Sequence, residues 1–349
     1  MRIRLLIVGA DSDYAIERPY RKYLAAHPSV ASLDFFPAQN LFLEYYRKSL
    51  FNKILYRTGF SSILASINQE LLKRADDCKP DVLLVFKGME IYPATLKKLA
   101  LKGVRLVNYN PDNPFIFSGR GSGNRNVTRS IRSFDLYLSY DKEVCEKMIE
   151  AEKVPSGLIP FGFELDEEIY LSCLDVPEVN KVCFIGNPDR QRLDFLNDIA
   201  ASDVPLDVYG NGWDRLDLHD NISVKGYLKG NELWSRLRAY RVQLNLLRLH
   251  NMRSHNMRSF EIPAIGGIQL APDTADHKHF FTSGKEIFLF NGVSDCVEAI
   301  RMLLAMPKAD ADLIRLAARK RCIESDYSYR KRVEELIFHL TNQFSSINS

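Results

Sequence analysis

The sequence predicts an α/β protein made of two Rossmann-like, doubly wound domains, each a parallel sheet wrapped by helices. Three observations carry this prediction. Short apolar runs that end in glycine, such as Ile3-Arg4-Leu5-Leu6-Ile7-Val8-Gly9 and Val182-Cys183-Phe184-Ile185-Gly186, have the form of buried parallel strands followed by a loop. These runs alternate with helical segments, and the alternation restarts after an acidic stretch, 164–180, that has no clear period. A chain of 349 residues has room for two domains of roughly 100–200 residues each.

The first domain is expected over residues 1–170. Its strands fall at 3–8, 32–36, 82–86, 104–109 and 136–139, and helices at 18–26, 93–102 and 142–150. The segment 41–75 reads as helical, with Tyr45, Tyr46, Phe51, Tyr56 and Phe60 interleaved with Arg47, Lys48, Lys53 and Arg57. Two readings fit it: core packing with a solvated basic face, or a surface that lies on a membrane or docks a lipid-linked acceptor. The glycine-rich, basic segment 119–125 is expected to be a mobile loop.

The second domain is expected over 177–325. Strands are expected at 182–185, 206–209, 222–225, 242–247, 268–271 and 287–290, with helices after Asp189 and at 232–240, 294–306 and 313–322. A terminal helix within 326–349 is expected to pack across the domain boundary. The most organised stretch is Arg258-Ser259-Phe260-Glu261-Ile262-Pro263-Ala264-Ile265-Gly266-Gly267. Proline is tolerated only near a helix start, so the first turn must lie close to residues 259–262. The glycine pair supplies the stop and the reversal into the next strand. A helix start exposes amides and the positive end of its dipole, which favours an anion such as phosphate. Arg258 adds a charge there, and Glu261 stands one turn on, placed to accept from paired hydroxyls.

Composition excludes several classes. A net charge of +3 is too small to argue for nucleic acid. Six cysteines without a CxxC pair point to reduced thiols, not to zinc or disulfides, and hence to a cytoplasmic location. The inner face of a membrane is the second expectation for location. The apolar run at the amino terminus is too short for a signal peptide, and Asp11 and Asp13 follow it at once. No run approaches the ~20 apolar residues of a membrane span.

Five motifs follow one another along the second domain: Phe184-Ile185-Gly186-Asn187 with Arg190 and Arg192; Tyr209-Gly210-Asn211-Gly212-Trp213; Lys225-Gly226-Tyr227-Leu228; Leu244-Asn245; and Arg258-Ser259-Phe260-Glu261. The series resembles the carboxyl domain of GT-B glycosyltransferases, most closely the CgeB-type (spore-maturation-like) family. Lys79-Pro80-Asp81, Tyr109-Asn110-Pro111-Asp112 and Ile159-Pro160-Phe161-Gly162 extend the resemblance into the first half. It implies a GT-B fold, with the two domains facing across a central cleft, and a sugar nucleotide held by the second domain. Gly186 and Asn187 would approach its diphosphate with Arg190 or Arg192 nearby, and Gly226 and Tyr227 would lie against the base. Asn245 belongs to the same set. Ser259 and Phe260 would offer amides and Arg258 a charge to phosphate, while Glu261 would take the ribose hydroxyls. The retaining pattern within this fold has two glutamates eight positions apart; here Arg253 stands where the first would be.

The expected activity is glycosyl transfer from a nucleotide-sugar to a carbohydrate, protein or lipid-linked acceptor, with no resident cofactor and no metal. Asp13, Asp11 and Asp112 are the candidates for the base that deprotonates the acceptor. Asp11-Ser12-Asp13 also spells a metal-binding DxD, but after a first strand it reads rather as a loop that caps a helix or holds a base. His250 and His255 read as surface histidines. Two other classes stay open. A non-catalytic nucleotide-sugar-binding partner would keep Arg258 and Glu261. A nicotinamide-dependent oxidoreductase is disfavoured because Gly9 and Gly186 each stand alone, outside any GxGxxG.

Overall fold

The computed structural model describes residues 2–117 and 121–345, which form two compact units. Gly119 and Arg120 of the expected glycine-rich loop lie outside the described residues. Unit 1 comprises residues up to Pro160 together with the chain from Tyr329 onward. Its elements are β1 (Ile3–Val8), α1 (Glu17–Ala26), β2 (Val30–Phe36), α2 (Ala38–Lys48), α3 (Leu50–Thr58), α4 (Ile63–Cys78), β3 (Val82–Phe86), α5 (Pro93–Leu101), β4 (Arg105–Asn110), α6 (Arg125–Ser130), β5 (Leu136–Ser139), α7 (Lys142–Lys147) and β6 (Ser156–Leu158). Unit 2, Phe161–Ser328, contains α8 (Glu167–Ser172), β7 (Val179–Ile185), α9 (Arg190–Ala200), β8 (Leu206–Tyr209), β9 (Ile222–Val224), α10 (Glu232–Ala239), β10 (Tyr240–Leu244), α11 (Arg258–Ala264), β11 (Gln269–Pro272), α12 (Ala275–Phe280), β12 (Phe288–Phe290), α13 (Val293–Ala305) and α14 (Lys308–Glu324). The terminal helix α15 (Tyr329–Ser345) belongs to unit 1, where the Tyr329 ring lies 5.7 Å from that of Tyr20 on α1.

Both sheets are six-stranded, and every strand pair is parallel. Unit 1 has the order β2-β1-β3-β4-β5-β6, which reverses direction between β1 and β3. Unit 2 has the order β12-β11-β10-β7-β8-β9, which reverses between β7 and β10. Neighbouring loops diverge at such a reversal, and the crevice left at the strands' carboxyl ends is where doubly wound sheets bind ligands.

Alternation along the strands decides what each face packs against. In unit 2, Val182, Phe184, Val208, Val242, Leu244 and Leu270 join residues of α9 and α13 in a buried apolar core. On the other face Asp207, Cys183, Gln243 and Gln269 form one register row across four strands, all buried. Buried polar groups need partners, and Asp207 and Gln243 find them. Among the described residues, Gln269 Nε2 has no hydrogen-bond partner, and Asp207 Oδ1 has only Lys181 and Lys225 at 3.7 Å. The Tyr240 hydroxyl donates to Asp207 at 2.6 Å, and Gln243 donates to the Arg236 carbonyl on α10 at 2.9 Å. The polar row thereby fixes the position of a helix as well as the sheet.

The expected helical segment 41–75 is three helices. Ser49 is extended and its hydroxyl accepts from the Asn52 amide, capping α3, while Gly59 ends α3 in the left-handed region at φ +83°. Helix α11 runs two turns with Pro263 inside it, then stops at Gly266 (φ +73°). At Gly267 a Cβ would lie 2.7 Å from the Leu237 carbonyl oxygen, so only glycine lets the chain turn there into β11. All six cysteines are free and five of them are buried.

Candidate functional site

The loops beside the crevice, at the carboxyl ends of β7, β8 and β9, are built on glycine. Gly186 donates its amide to the Tyr209 carbonyl at 2.9 Å and accepts from the Trp213 indole at 2.8 Å. Gly210, at φ +145°, donates to the Gly226 carbonyl at 2.8 Å, and a Cβ there would fall 2.3 Å from the Gly186 oxygen. Asn187 closes the set by accepting from the Asn211 amide at 3.0 Å. The ends of β7, β8 and β9 are thus tied into one backbone floor.

Arg192 spans the reversal itself. It lies in the first turn of α9, whose start is capped by Asp189, and is buried. Its guanidinium donates to the Asn187 carbonyl at 3.0 Å and to the Leu246 carbonyl at 2.6 Å, joining the loops that follow β7 and β10. Burial lowers its pKa to about 10; repulsion from Arg248 and, against the pull of Asp189, from Arg258 adds to the shift. It stays cationic at neutral pH. Arg192 thus feels the charges of Arg248 and Arg258, with Asp189 beside Arg192 and Glu261 paired to Arg258 as the local counter-charges. Arg190, by contrast, pairs with Asp194 at 2.9 Å on the exposed side of α9.

The loop 245–259 is held by a polar chain. His277 is buried, which lowers its pKa to about 4, so it is neutral. With Nδ1 donating to the Pro272 carbonyl at 2.8 Å, its Nε2 accepts from the Ser259 hydroxyl at 2.8 Å. That hydroxyl oxygen accepts in turn from Asn245 at 3.2 Å and from the Asn256 amide at 3.2 Å. Asn256 also donates its side-chain amide to Asn245 at 2.8 Å. Asn245 and Ser259 thus hold the loop that carries Arg258.

The amides at the start of α11 are not open, which corrects the expectation for Ser259 and Phe260. Those of Ser259, Phe260 and Glu261 bond to Asn256 and Met257, because the turn at 256–257 continues helical geometry backward. Ser259 and Phe260 are fully buried. Positive charge at the crevice comes instead from side chains. Arg258 pairs with Glu261 one turn on, and Glu261 is buried. Arg253 is exposed, Gly226 has open space beside it at φ +85°, and Tyr227 is 46% exposed.

His255 is buried, not a surface residue. Its Nε2 accepts from the Phe161 amide at 3.2 Å, so Nδ1 carries the proton and donates to Asp276 at 2.7 Å. Burial opposes the Asp276 charge, but hydrogen bonds from His255 and Ser254 outweigh it and hold the carboxyl below its usual range. The His250 side chain lies outside the described atoms.

Unit 1 gathers carboxylates at the ends of β1, β3 and β4. Asp13 is exposed and pairs with Arg18 at 3.1 Å; Asp11 pairs with Arg21 at 2.7 Å. Neither caps α1, whose N-cap is Ile16. Asp112 is paired with Lys87, itself in the left-handed region at φ +61°. Sequence reasoning missed Glu17. Its Oε1 accepts from the Ala10 amide at 2.7 Å, and a Cβ at Gly9 would fall 2.4 Å from that oxygen, so Gly9 makes room for the carboxyl. Burial raises its pKa to about 7, despite the Ala10 bond and Lys87, with Glu90 adding to the rise. A glutamate in a first helical turn is common for its dipole alone, so the sequence carries no distinct signal. Arg248 was missed as well; its only signal is position, just past the end of β10.

Residues 190–337 match a family described as glycosyl transferase-like. No curated protein matches the sequence. Among solved structures, sucrose-phosphate synthase from Thermosynechococcus elongatus superposes with a TM-score of 0.67 at 11% identity, covering 98% of this chain and 100% of that one. Anabaena HepE, solved with UDP and glucose, gives 0.64 at 13% identity over 98% and 100%. The UDP-forming α,α-trehalose-phosphate synthase from Burkholderia xenovorans gives 0.60 at 12% over 96% and 99%. The two Rossmann-like units are those of the GT-B fold, and most of the second lies within a glycosyl transferase-like region.

Proposed function

We propose that the chain transfers a sugar from a nucleotide-sugar, held at the β7/β10 crevice of unit 2, to the hydroxyl of an acceptor. The observation that carries this reading is the convergence of Arg192, Arg248 and Arg258 on the reversal point of a Rossmann sheet. Arg192 is spent on bracing two loops, which leaves Arg248 and Arg258 to neutralise a diphosphate. Glu261 accepts from the ribose hydroxyls once Arg258 turns to phosphate, and Tyr227 is exposed for stacking on the base. HepE was solved with UDP, UDP-glucose and glucose, which supports a uridine diphosphate donor.

In the step itself the acceptor oxygen attacks the anomeric carbon, and the bond from that carbon to the diphosphate oxygen breaks. The electron pair leaves on the diphosphate, where the arginines stabilise it in the role a metal fills elsewhere. The acceptor proton passes to a carboxylate of unit 1. Asp11, Asp13 and Asp112 remain candidates, and Glu17 joins them because its pKa of about 7 suits a base at neutral pH. The acceptor class stays carbohydrate, protein or lipid-linked, and the CgeB-like resemblance belongs to the same reading.

Release of UDP from a panel of UDP-sugars, with and without added acceptors and with EDTA present, tests the proposal. Acceptor-dependent release that survives chelation supports it. Loss on chelation, restored by manganese, would bring back the DxD metal reading. Arg253 in place of the first glutamate of the retaining pattern favours one second reading, a non-catalytic nucleotide-sugar-binding partner. Tight binding of UDP without release from any donor would establish that reading instead.

A further inference from the structure

We infer that α3, with the end of α2 and the turn after it, forms a docking surface for an anionic lipid bilayer. Helix α3 is folded inside out. Its inward residues Asn52 and Tyr56 hold it to α2: Asn52 donates to the Tyr45 carbonyl at 2.8 Å, and the Tyr56 ring lies 4.8 Å from Phe42 and 5.8 Å from Tyr46. Its outward side carries Leu50, Phe51 and Ile54, which are 75%, 65% and 58% exposed, and Phe60 just beyond is 83% exposed. No residue of α3 is buried. Four large apolar side chains in eleven residues of chain, all turned to water, form a patch that needs a partner.

Charge selects the partner. Residues 41–60 contain Arg47, Lys48, Lys53 and Arg57 against the single carboxylate Glu44, a surplus equal to the net charge of +3 of the whole chain. Helical spacing places Lys53 and Arg57 on the flank of the Leu50–Ile54 stripe, the pattern of a helix lying in a membrane interface: apolar side chains dip into the acyl boundary and cations meet phosphates. A second copy of this chain would bring like charge against like charge at the same patch, which argues against self-association. Among the described residues no helix is long and apolar enough to cross a membrane, so the contact is with its surface. Docking there places unit 1 beside acceptors that reside in the bilayer.

The experiment floats the full chain with vesicles of phosphatidylcholine alone and of phosphatidylcholine mixed with phosphatidylglycerol, without donor or acceptor. Its outcome is therefore separate from the transfer reading. Binding is expected to the mixed vesicles and not to phosphatidylcholine alone, and to weaken as salt rises. Phe51→Ser with Phe60→Ser, and separately Lys48→Glu with Lys53→Glu, should each reduce binding at least tenfold. Phe51, Phe60 and Lys48 are exposed, while Lys53 is half-buried with its ammonium 5.9 Å from the Tyr46 ring centroid. The melting temperature should therefore stay within about a degree or two of the parent in the phenylalanine pair and fall only slightly further in the lysine pair, since exposed substitutions change stability little. Failure to bind mixed vesicles would overturn the inference, as would equal binding by the variants. Light scattering that shows a dimer abolished by the phenylalanine pair would overturn it in favour of a second copy.

Discussion

Replacing Glu17 by glutamine should make unit 1 more stable at high pH and leave it unchanged at low pH. The glutamine keeps an acceptor oxygen for the Ala10 amide and the space that Gly9 leaves, so the change removes little beyond the charge. The carboxyl is raised from its usual 4.5 to about 7, chiefly by burial. At about 1.4 kcal/mol per pH unit, ionising it in the folded protein costs roughly 3 kcal/mol more than in the unfolded chain. The sign follows from proton uptake. Between pH 4.5 and 7 the folded state holds the proton that the unfolded state has released, so stability falls as pH rises through that window and stays low above it. The glutamine variant lacks this loss. It should match the parent near pH 4.5 and exceed it by up to about 3 kcal/mol at pH 8. Urea unfolding followed by circular dichroism measures the difference. Both tryptophans, Trp213 and Trp234, belong to unit 2, so a dichroism change without a fluorescence change reports unit 1. A variant that is less stable than the parent at pH 8, or a difference independent of pH, would refute the assignment of a buried, near-neutral carboxyl.

Further outcomes can be checked on the same protein. Acid should open the loop of unit 2, because His277 must gain a proton against a pKa of about 4: stability read by tryptophan fluorescence should fall from pH 6.5 downward. Gly210→Ala places a Cβ 2.3 Å from the Gly186 oxygen at φ +145°. Strain and overpacking together should cost roughly 2–6 kcal/mol, visible as a lower urea midpoint; an unchanged midpoint would mean the floor is less rigid than described. Asp13→Asn, Asp11→Asn and Asp112→Asn, made singly beside Glu17→Gln, should show one loss of turnover of roughly a hundredfold or more with donor affinity kept. Four fully active variants would remove the base from unit 1.

The sheets were legible because buried parallel strands ending in glycine have few other readings, as Ile3–Val8 and Val179–Ile185 illustrate. The glycines at 186, 210 and 226 could be placed at strand ends, but their mutual tie is a tertiary fact. Side-chain partners were largely illegible. His255 is buried by its bond to Phe161, 94 positions away, and nothing local marks it. The amides of α11 were expected to be open because the sequence does not show that Asn256 and Met257 extend the helical turn backward. Glu17 looked like any first-turn acid until the close approach of Gly9 gave it a place. In α3 the aromatic and basic pattern fitted core and surface alike, and only the packing of Tyr56 on Phe42 decided which side faces water.

The central claim, a diphosphate site made by arginine side chains at the β7/β10 reversal, is tested most directly by calorimetric titration of UDP into the parent protein and into Arg258→Met and Arg248→Met. Hydrogen bonds to charged groups contribute roughly 1.5–3 kcal/mol each, so each variant should bind UDP ten- to a hundredfold more weakly, while uridine, which lacks the phosphates, should bind all three alike. UDP affinity that is undetectable in the parent, or unchanged in both variants, would contradict the account.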